Sequence, residues 1–290
     1  MTQLQKKLEN NEFVITAETC PPKSPDPTEF LRKVKLLKNL VTAINVTDNQ
    51  RAILKLSALV ASGLIVREGL EPIYQLSCRD RNSLALQADL LGASALGVHN
   101  VLPLTGDPIR IGDHPEAKGV FEFESTKLLQ TIQKLNSGID FAGNPVETKT
   151  NFYAGAVVNA ADGRCIPHLK RMEKKIESGA KFFQTQAVFD FDAFETFMKE
   201  AEQFHTKIIA GVLLLFSYKN VNFINRHIPG INIPNSYKER LKQAQDPLQE
   251  GILIAAEQIK KLQGMCHGVH IMAIKREERI IDILETYKSL

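Results

Sequence analysis

Short apolar, β-branched runs alternate with amphipathic segments from one end of the chain to the other. Runs at 13–18, 41–47, 72–78, 95–104, 151–158, 182–186, 207–213 and 269–273 read as strands. The first is closed by Pro21-Pro22, which neither donates to a ladder nor continues a helix. After Asp26-Pro27, a capping residue followed by a first-turn proline, Phe30, Leu31, Val34 and Leu37 recur at helical spacing. Further helices are expected at 52–66 and from Asn82, a plausible N-cap, to 91. A long irregular stretch, 106–119, precedes a helix carrying Leu128, Leu129, Ile132 and Leu135. The next helix, 164–177, is stopped by Gly179, and Phe194, Phe197, Met198 and Ala201 stripe the one after it. Helical segments near 218–226, 236–243, 247–262 and 277–288 complete the pattern.

The count is eight strand–helix units of roughly 36 residues, the rhythm of a (β/α)₈ TIM barrel of about 250 residues with insertions. A doubly wound open sheet shows the same alternation. It normally carries a glycine-rich nucleotide loop, and neither G-x-G-x-x-G nor G-x-x-x-x-G-K-[ST] occurs here. The expectation is therefore an α/β barrel spanning 1–290 as a single domain, with extra helices before the last strand.

Composition fits that reading. Hydrophobic residues make up 43% of the 290 and charged residues 24%, the balance of a core-forming protein rather than a disordered one. The net charge of +3 suits an anionic small molecule and is far from that of a polybasic nucleic-acid binder. Basic segments such as 32–38 are interrupted at helical spacing by Val34, Leu36 and Leu37, and look like a solvated helix surface. Cys20, Cys78, Cys165 and Cys266 lie far apart, as reduced, mostly buried thiols do. Cys165 and His168 have C-x-x-H spacing without a second pair, so no metal is expected. No apolar run reaches the ~18 residues of a membrane span, and the polar N-terminus has no signal h-region, so a cytoplasmic protein is expected.

In a barrel the chemistry sits on the loops after the strands. Six successive strand ends carry polar residues that a core would not choose: Glu18, Thr47-Asp48-Asn49, Gln75 to Cys78, Thr105-Gly106-Asp107, Asn159, and Gln184-Thr185-Gln186. Period-2 alternation puts Val14, Thr16 and Glu18 on one face, so Glu18 points into the mouth. There it is either a general acid or a carboxylate that tops a strand and pairs locally. Asp107-Pro108 is also an ordinary turn signal. Lys175 belongs to a cationic helix run that is either a solvated face or a partner for a diphosphate.

These residues carry a resemblance. Ala17-Glu18-Thr19-Cys20-Pro21-Pro22-Lys23, then Leu104-Thr105-Gly106-Asp107-Pro108, then Lys175-Ile176-Glu177-Ser178-Gly179-Ala180 and Gln184-Thr185-Gln186-Ala187-Val188-Phe189-Asp190 resemble the methylenetetrahydrofolate reductases, in the family's order. The resemblance covers the catalytic barrel, from about 13 to 284. It implies a flavoprotein of one-carbon metabolism and methionine biosynthesis that reduces 5,10-methylenetetrahydrofolate to 5-methyltetrahydrofolate. Electrons would come from NADH or NADPH through FAD. By motif, Glu18 is the implied general acid and Asp107 a catalytic carboxylate that contacts the pterin. Gln186, Tyr218 and Arg276 are the implied folate contacts. Thr47, Gln75, Thr105, Gly106, Asp107, Asn159 and Lys175 are the implied FAD contacts. The sequence departs from the family at Gln75, where many members have His, at Thr105, where some have Arg, at Gly155-Ala156, where others have Tyr-Pro, and at His168, where Asp is common. The departures fall on the cofactor side, so ferredoxin, a partner flavoprotein or F420-like donors stay open. The alternative is a folate-binding barrel subunit that draws its electrons from such a partner. A homo-oligomer without a regulatory domain is the remaining expectation.

Overall fold

In the computed structural model, which describes residues 1–160, 165–228 and 230–290, the apolar runs form eight parallel strands closed into one barrel in chain order. They are β1 (Val14–Thr19), β2 (Ala43–Val46), β3 (Pro72–Ser77), β4 (Asn100–Leu104), β5 (Tyr153–Val158), β6 (Phe182–Ala187), β7 (Lys207–Leu213) and β8 (Gly268–Met272). Closure is made by β8 against β1, with Val14 opposite Gly268 and Thr16 opposite His270. Among the described residues, no helix is long and apolar enough to cross a membrane.

Helices fill the crossovers: α2 (Thr28–Leu36), α3 (Ala58–Arg67), α4 (Ser83–Ala95), α5 (Ser125–Ser137), α6 (Cys165–Glu177) and α7 (Phe191–Ala201). Between β7 and β8 come α8 (Tyr218–His227), α9 (Asn235–Gln243) and α10 (Pro247–Leu262), and α11 (Ile280–Ser289) follows β8. Side-chain caps set several starts. Asn82 accepts from the Ala85 N–H, Asp190 from Ala193, and Asp246 from Leu248 and Gln249.

The largest differences from the sequence expectation are two boundaries and one added helix. The strand expected at 95–104 begins only at Asn100, because α4 runs on to Ala95 and the chain reverses through Gly97 at φ +77°. The helix expected at 52–66 begins at Ala58, because Asn49, Arg51 and Ala52 take left-handed backbone angles instead. The third is α1 (Gln3–Glu9), which the polar N-terminus did not announce. Its Leu4 and Leu8 cover the bottom of the barrel, packing on the inward side chains Val14, Ala43, Ile73, Leu102, Tyr153, Phe182 and Ile209. The Glu71 carboxylate accepts from the Gln3 and Leu4 N–H groups at 2.6 and 2.9 Å, which fixes the helix start under β3.

Above this apolar floor the inward residues turn polar. Asn45 and Gln184 exchange two amide hydrogen bonds across the barrel, at 2.7 and 3.0 Å. Thr16 and His270 lie beside them, 3.1 Å apart between Oγ1 and Nδ1. All four are buried, and their mutual contacts offset the cost of desolvating them. The barrel thus has a sealed apolar end and a polar end that opens to solvent.

Candidate functional site

At the open end the strand termini and the loops after them enclose a cavity of about 1190 Å³. It exceeds the ~300–1,000 Å³ usual for one small ligand. Glu18, Gln75, Thr105, Gly106, Asp107, Gln186 and Arg276 line it. The structure therefore brings together, from β1, β3, β4, β6 and β8, residues as much as 258 positions apart (276 − 18).

The Glu18 side chain, 12% exposed, stands at the top of β1 between two side-chain nitrogens. Gln75 Nε2 lies 3.5 Å from Oε2, and His270 Nε2 lies 3.6 Å from the same oxygen. Asp107 follows Gly106, whose φ of +96° suits glycine alone. A Cβ there would fall 2.4 Å from Ser77 Oγ and 2.7 Å from Arg79 Cβ, so the backbone stays close against the end of β3. The Asp107 carboxylate accepts from the Arg51 N–H at 2.9 Å, and Arg51 belongs to the left-handed segment that replaced the expected helix start. Strained backbone of this kind collects where a loop must hold a side chain in place.

Gln186 lies two residues beyond the inward Gln184 on β6 and so shares its face, and the β6–β7 pairing slips between Gln184 and Ala187. Thr185 holds the slip: its hydroxyl accepts from the Gly211 N–H at 3.0 Å and donates to the Gln186 carbonyl at 2.7 Å. Such irregularities re-aim a side chain at a barrel rim. Arg276, after β8, places its guanidinium 4.8 Å from the Phe216 ring centre. At the end of β2, Asp48 accepts from the Ser77 N–H at 2.9 Å and pairs with Arg81 at 2.7 Å, tying β2 to β3 below the mouth.

Four residues singled out by resemblance stand outside the cavity wall. Thr47 is fully buried at the end of β2. Asn159 donates to the Gly230 carbonyl at 3.3 Å. Lys175 donates to the Val157 carbonyl at 2.6 Å, and burial, reinforced by nearby Arg171, lowers its pKa. Tyr218 opens α8 with its ring 4.9 Å from the Lys238 ammonium, and a bond with Asn222 lowers its own pKa.

Other wall residues were not singled out in the sequence. Phe223 stacks on His227 at 4.6 Å, with the Arg51 guanidinium 6.0 Å from its ring. An exposed aromatic on a helix that already buries Val221 and Ile224 was the available signal. His270 was within reach of the alternation rule applied to Glu18, since Gly268, His270 and Met272 share the inward face. Among the described residues, no group of three or more His, Cys, Asp or Glu side chains could hold a metal ion.

For a flavin, Gln75, Thr105, Gly106 and Asp107 offer an amide, a hydroxyl, close backbone and a carboxylate along one side of the cavity. That set fits the hydrogen-bonding polar edge of an isoalloxazine. Of the other residues implied for FAD, Asn159 and Lys175 are engaged with the backbone carbonyls of Gly230 and Val157.

Fold and site together define a (β/α)₈ barrel with a polar mouth that can gather an extended ligand at its strand ends. The family model for methylenetetrahydrofolate reductase matches residues 3–288, and the chain belongs to that family. It is 25% identical over 305 residues to methylenetetrahydrofolate reductase 2 of Schizosaccharomyces pombe, covering 98% of this chain and 47% of the relative. It is also 25% identical over 314 residues to methylenetetrahydrofolate reductase (NADH) 1 of Arabidopsis thaliana, covering 97% and 49%. The chain thus spans about half the length of these curated relatives. Among solved structures, a Clostridium thermocellum protein that binds two copies of 5-methyl-5,6,7,8-tetrahydrofolic acid shares the fold, with a TM-score of 0.69, 16% identity and coverage of 99% and 98%.

Proposed function

We propose that this chain reduces 5,10-methylenetetrahydrofolate to 5-methyltetrahydrofolate, with Glu18 as the general acid and FAD as the hydride carrier. The observation that carries the reading is the convergence of Glu18, Asp107 and Gln186 on one cavity of about 1190 Å³. The family match, and the 5-methyltetrahydrofolate ligand of the Clostridium thermocellum protein, support folate as the occupant.

The substrate's five-membered ring must open before its bridging carbon can accept a hydride. A proton delivered to a ring nitrogen by Glu18 opens it and leaves a cationic iminium. The Asp107 carboxylate, held by the Arg51 N–H, favours that positive charge electrostatically. The Gln186 amide hydrogen-bonds the pterin, and Arg276 attracts the anionic end of the folate. Bound FAD supplies the hydride after its own reduction by NADH or NADPH. Gln75, Thr105, Gly106 and Asp107 would hold its ring, and Lys175 would supply a cation for its diphosphate.

The absorbance spectrum of purified protein, followed by anaerobic titration with each nucleotide and then with folate substrate, tests this. Yellow protein bleached by NADH or NADPH and reoxidised by methylenetetrahydrofolate is the expected result. Colourless protein overturns the flavin assignment. Flavin that folate oxidises but neither nucleotide reduces points to an electron-donating partner protein.

A further inference from the structure

A leucine in the middle of a barrel costs nothing to desolvate, yet the β8 position beneath the mouth is His270, 4% exposed. Its neighbours show what it does. Nδ1 is 3.1 Å from Thr16 Oγ1, whose alternative acceptor, the Val269 carbonyl, is farther at 3.4 Å. Gln184 Nε2 approaches the same hydroxyl oxygen at 3.5 Å as a donor, so the hydroxyl hydrogen is free to go to the imidazole. A hydroxyl that donates to Nδ1 leaves the ring proton on Nε2. Nε2 is the atom that faces Glu18 Oε2, at 3.6 Å, and Gln75 Nε2 faces that oxygen as well, at 3.5 Å. These separations are longer than hydrogen bonds, as catalytic contacts often are before a ligand closes the site.

We infer that His270 is a positioning residue for Glu18: fixed by Thr16, it joins Gln75 in engaging Oε2 and so makes Oε1 the oxygen that delivers the proton to the folate. The inference rests on the proposed reductase reading for its consequence, while the Thr16–His270–Glu18 arrangement stands apart from it. Glu18 is the charged group facing His270 from β1, whereas β7 presents Gly211 opposite it. Once the proton has left, two N–H groups face the new carboxylate, and its rotation away from the substrate is opposed.

The test has two arms. In the first, imidazole ¹⁵N spectra of the protein, assigned by the loss of the His270 signals in His270→Gln, report the tautomer. The proton is expected on Nε2 in the wild type and redistributed between the nitrogens in Thr16→Val. A proton on Nδ1 in the wild type, or a tautomer indifferent to Thr16→Val, overturns the inference whether or not the protein proves to be a reductase. In the second, His270→Leu is expected to lower kcat for folate reduction about 10- to 100-fold, part of the ~10²–10⁴-fold that a positioned acid contributes. KM for folate should move less than about threefold, because binding contacts are kept. His270→Gln, which still presents an N–H towards Oε2, should recover much of that loss. Unchanged kcat in His270→Leu, or no recovery in His270→Gln, overturns the positioning role. Should His270→Leu fail to fold, Thr16→Val carries this arm, with a smaller kcat loss expected and wild-type kcat overturning it. Wild-type protein that turns over no folate sinks the functional reading alone, and the spectra still decide the arrangement.

Discussion

At the scale of single residues, Glu18 has the sharpest expected outcome. Glu18→Gln removes the proton but keeps size and polarity, so reduction of methylenetetrahydrofolate should fall at least about 10²-fold. Flavin content and flavin reduction by nucleotide should persist. Near-normal folate turnover would remove Glu18 from the mechanism. Glu18 was legible in the sequence because strand alternation is a strict geometric rule, and the same rule reaches His270. His270 carries no signal of its own, because a lone histidine in an apolar strand makes no metal-ligand spacing with its neighbours. Gly155 is a different case. Its identity stood out as a departure from the family, but its reason was spatial: a Cβ there would fall 2.4 Å from the Phe182 ring, which stacks on Tyr153 at 5.2 Å. Gly155→Ala should therefore destabilise by about 1–3 kcal/mol, measured by urea denaturation, as overpacked cores do. A stability equal to wild type would mean that the Phe182 ring yields at no cost.

Elements were legible where periodicity set them and obscure where loops did. The strand and helix order follows from apolar spacing, whereas the expected helix start at 52 fell inside a loop that other loops organise. Asp113 is the fastening. Its carboxylate pairs with Lys23 at 2.5 Å from the loop after β1 and accepts from the Leu54 N–H at 3.0 Å in the loop after β2. No local pattern announces a contact between residues 23, 54 and 113. The Lys23 bond, helped by His114 and the Leu54 N–H, holds the Asp113 carboxyl below the usual carboxylate range. A depressed pKa gives stability that is present above the unfolded value and lost as pH falls through the folded one. The clip should accordingly survive acidification to about pH 4, near the unperturbed Asp value, and release only below it. Asp113→Ala should hasten limited proteolysis within 106–119 and raise the folate KM more than it lowers kcat, because Asp107 sits on the same loop. Cleavage as slow as in the wild type would show that the loop is fastened elsewhere.

For the molecule as a whole, the two ends of the barrel are built for different work, and a polar layer divides them. The closed eight-strand architecture was legible because alternation and the missing nucleotide loop left one favoured arrangement. The plug was not, because α1 is polar overall and shows its purpose only in the pair Leu4 and Leu8, four residues apart on one face. Both side chains are fully buried against the barrel floor, on the far side of Thr16, Asn45, Gln184 and His270 from the cavity. Damage at the floor should therefore cost stability without touching chemistry. Leu8→Ala is expected to destabilise by about 2–5 kcal/mol through lost burial and the space left behind. Well below its lowered Tm, its kcat/KM for folate should match the wild type. Asp107→Asn should do the reverse. Asp107 is exposed and its substitute can still accept from the Arg51 N–H, so stability should change by no more than about 0.5 kcal/mol. Folate reduction should fall further than flavin reduction, because in the proposed reaction the lost charge would favour the cationic iminium and not the nucleotide. Chemical denaturation and the two half-reactions, measured on both variants, decide the matter. A Leu8→Ala protein with impaired folate turnover at full foldedness would mean that the polar layer transmits packing from floor to mouth.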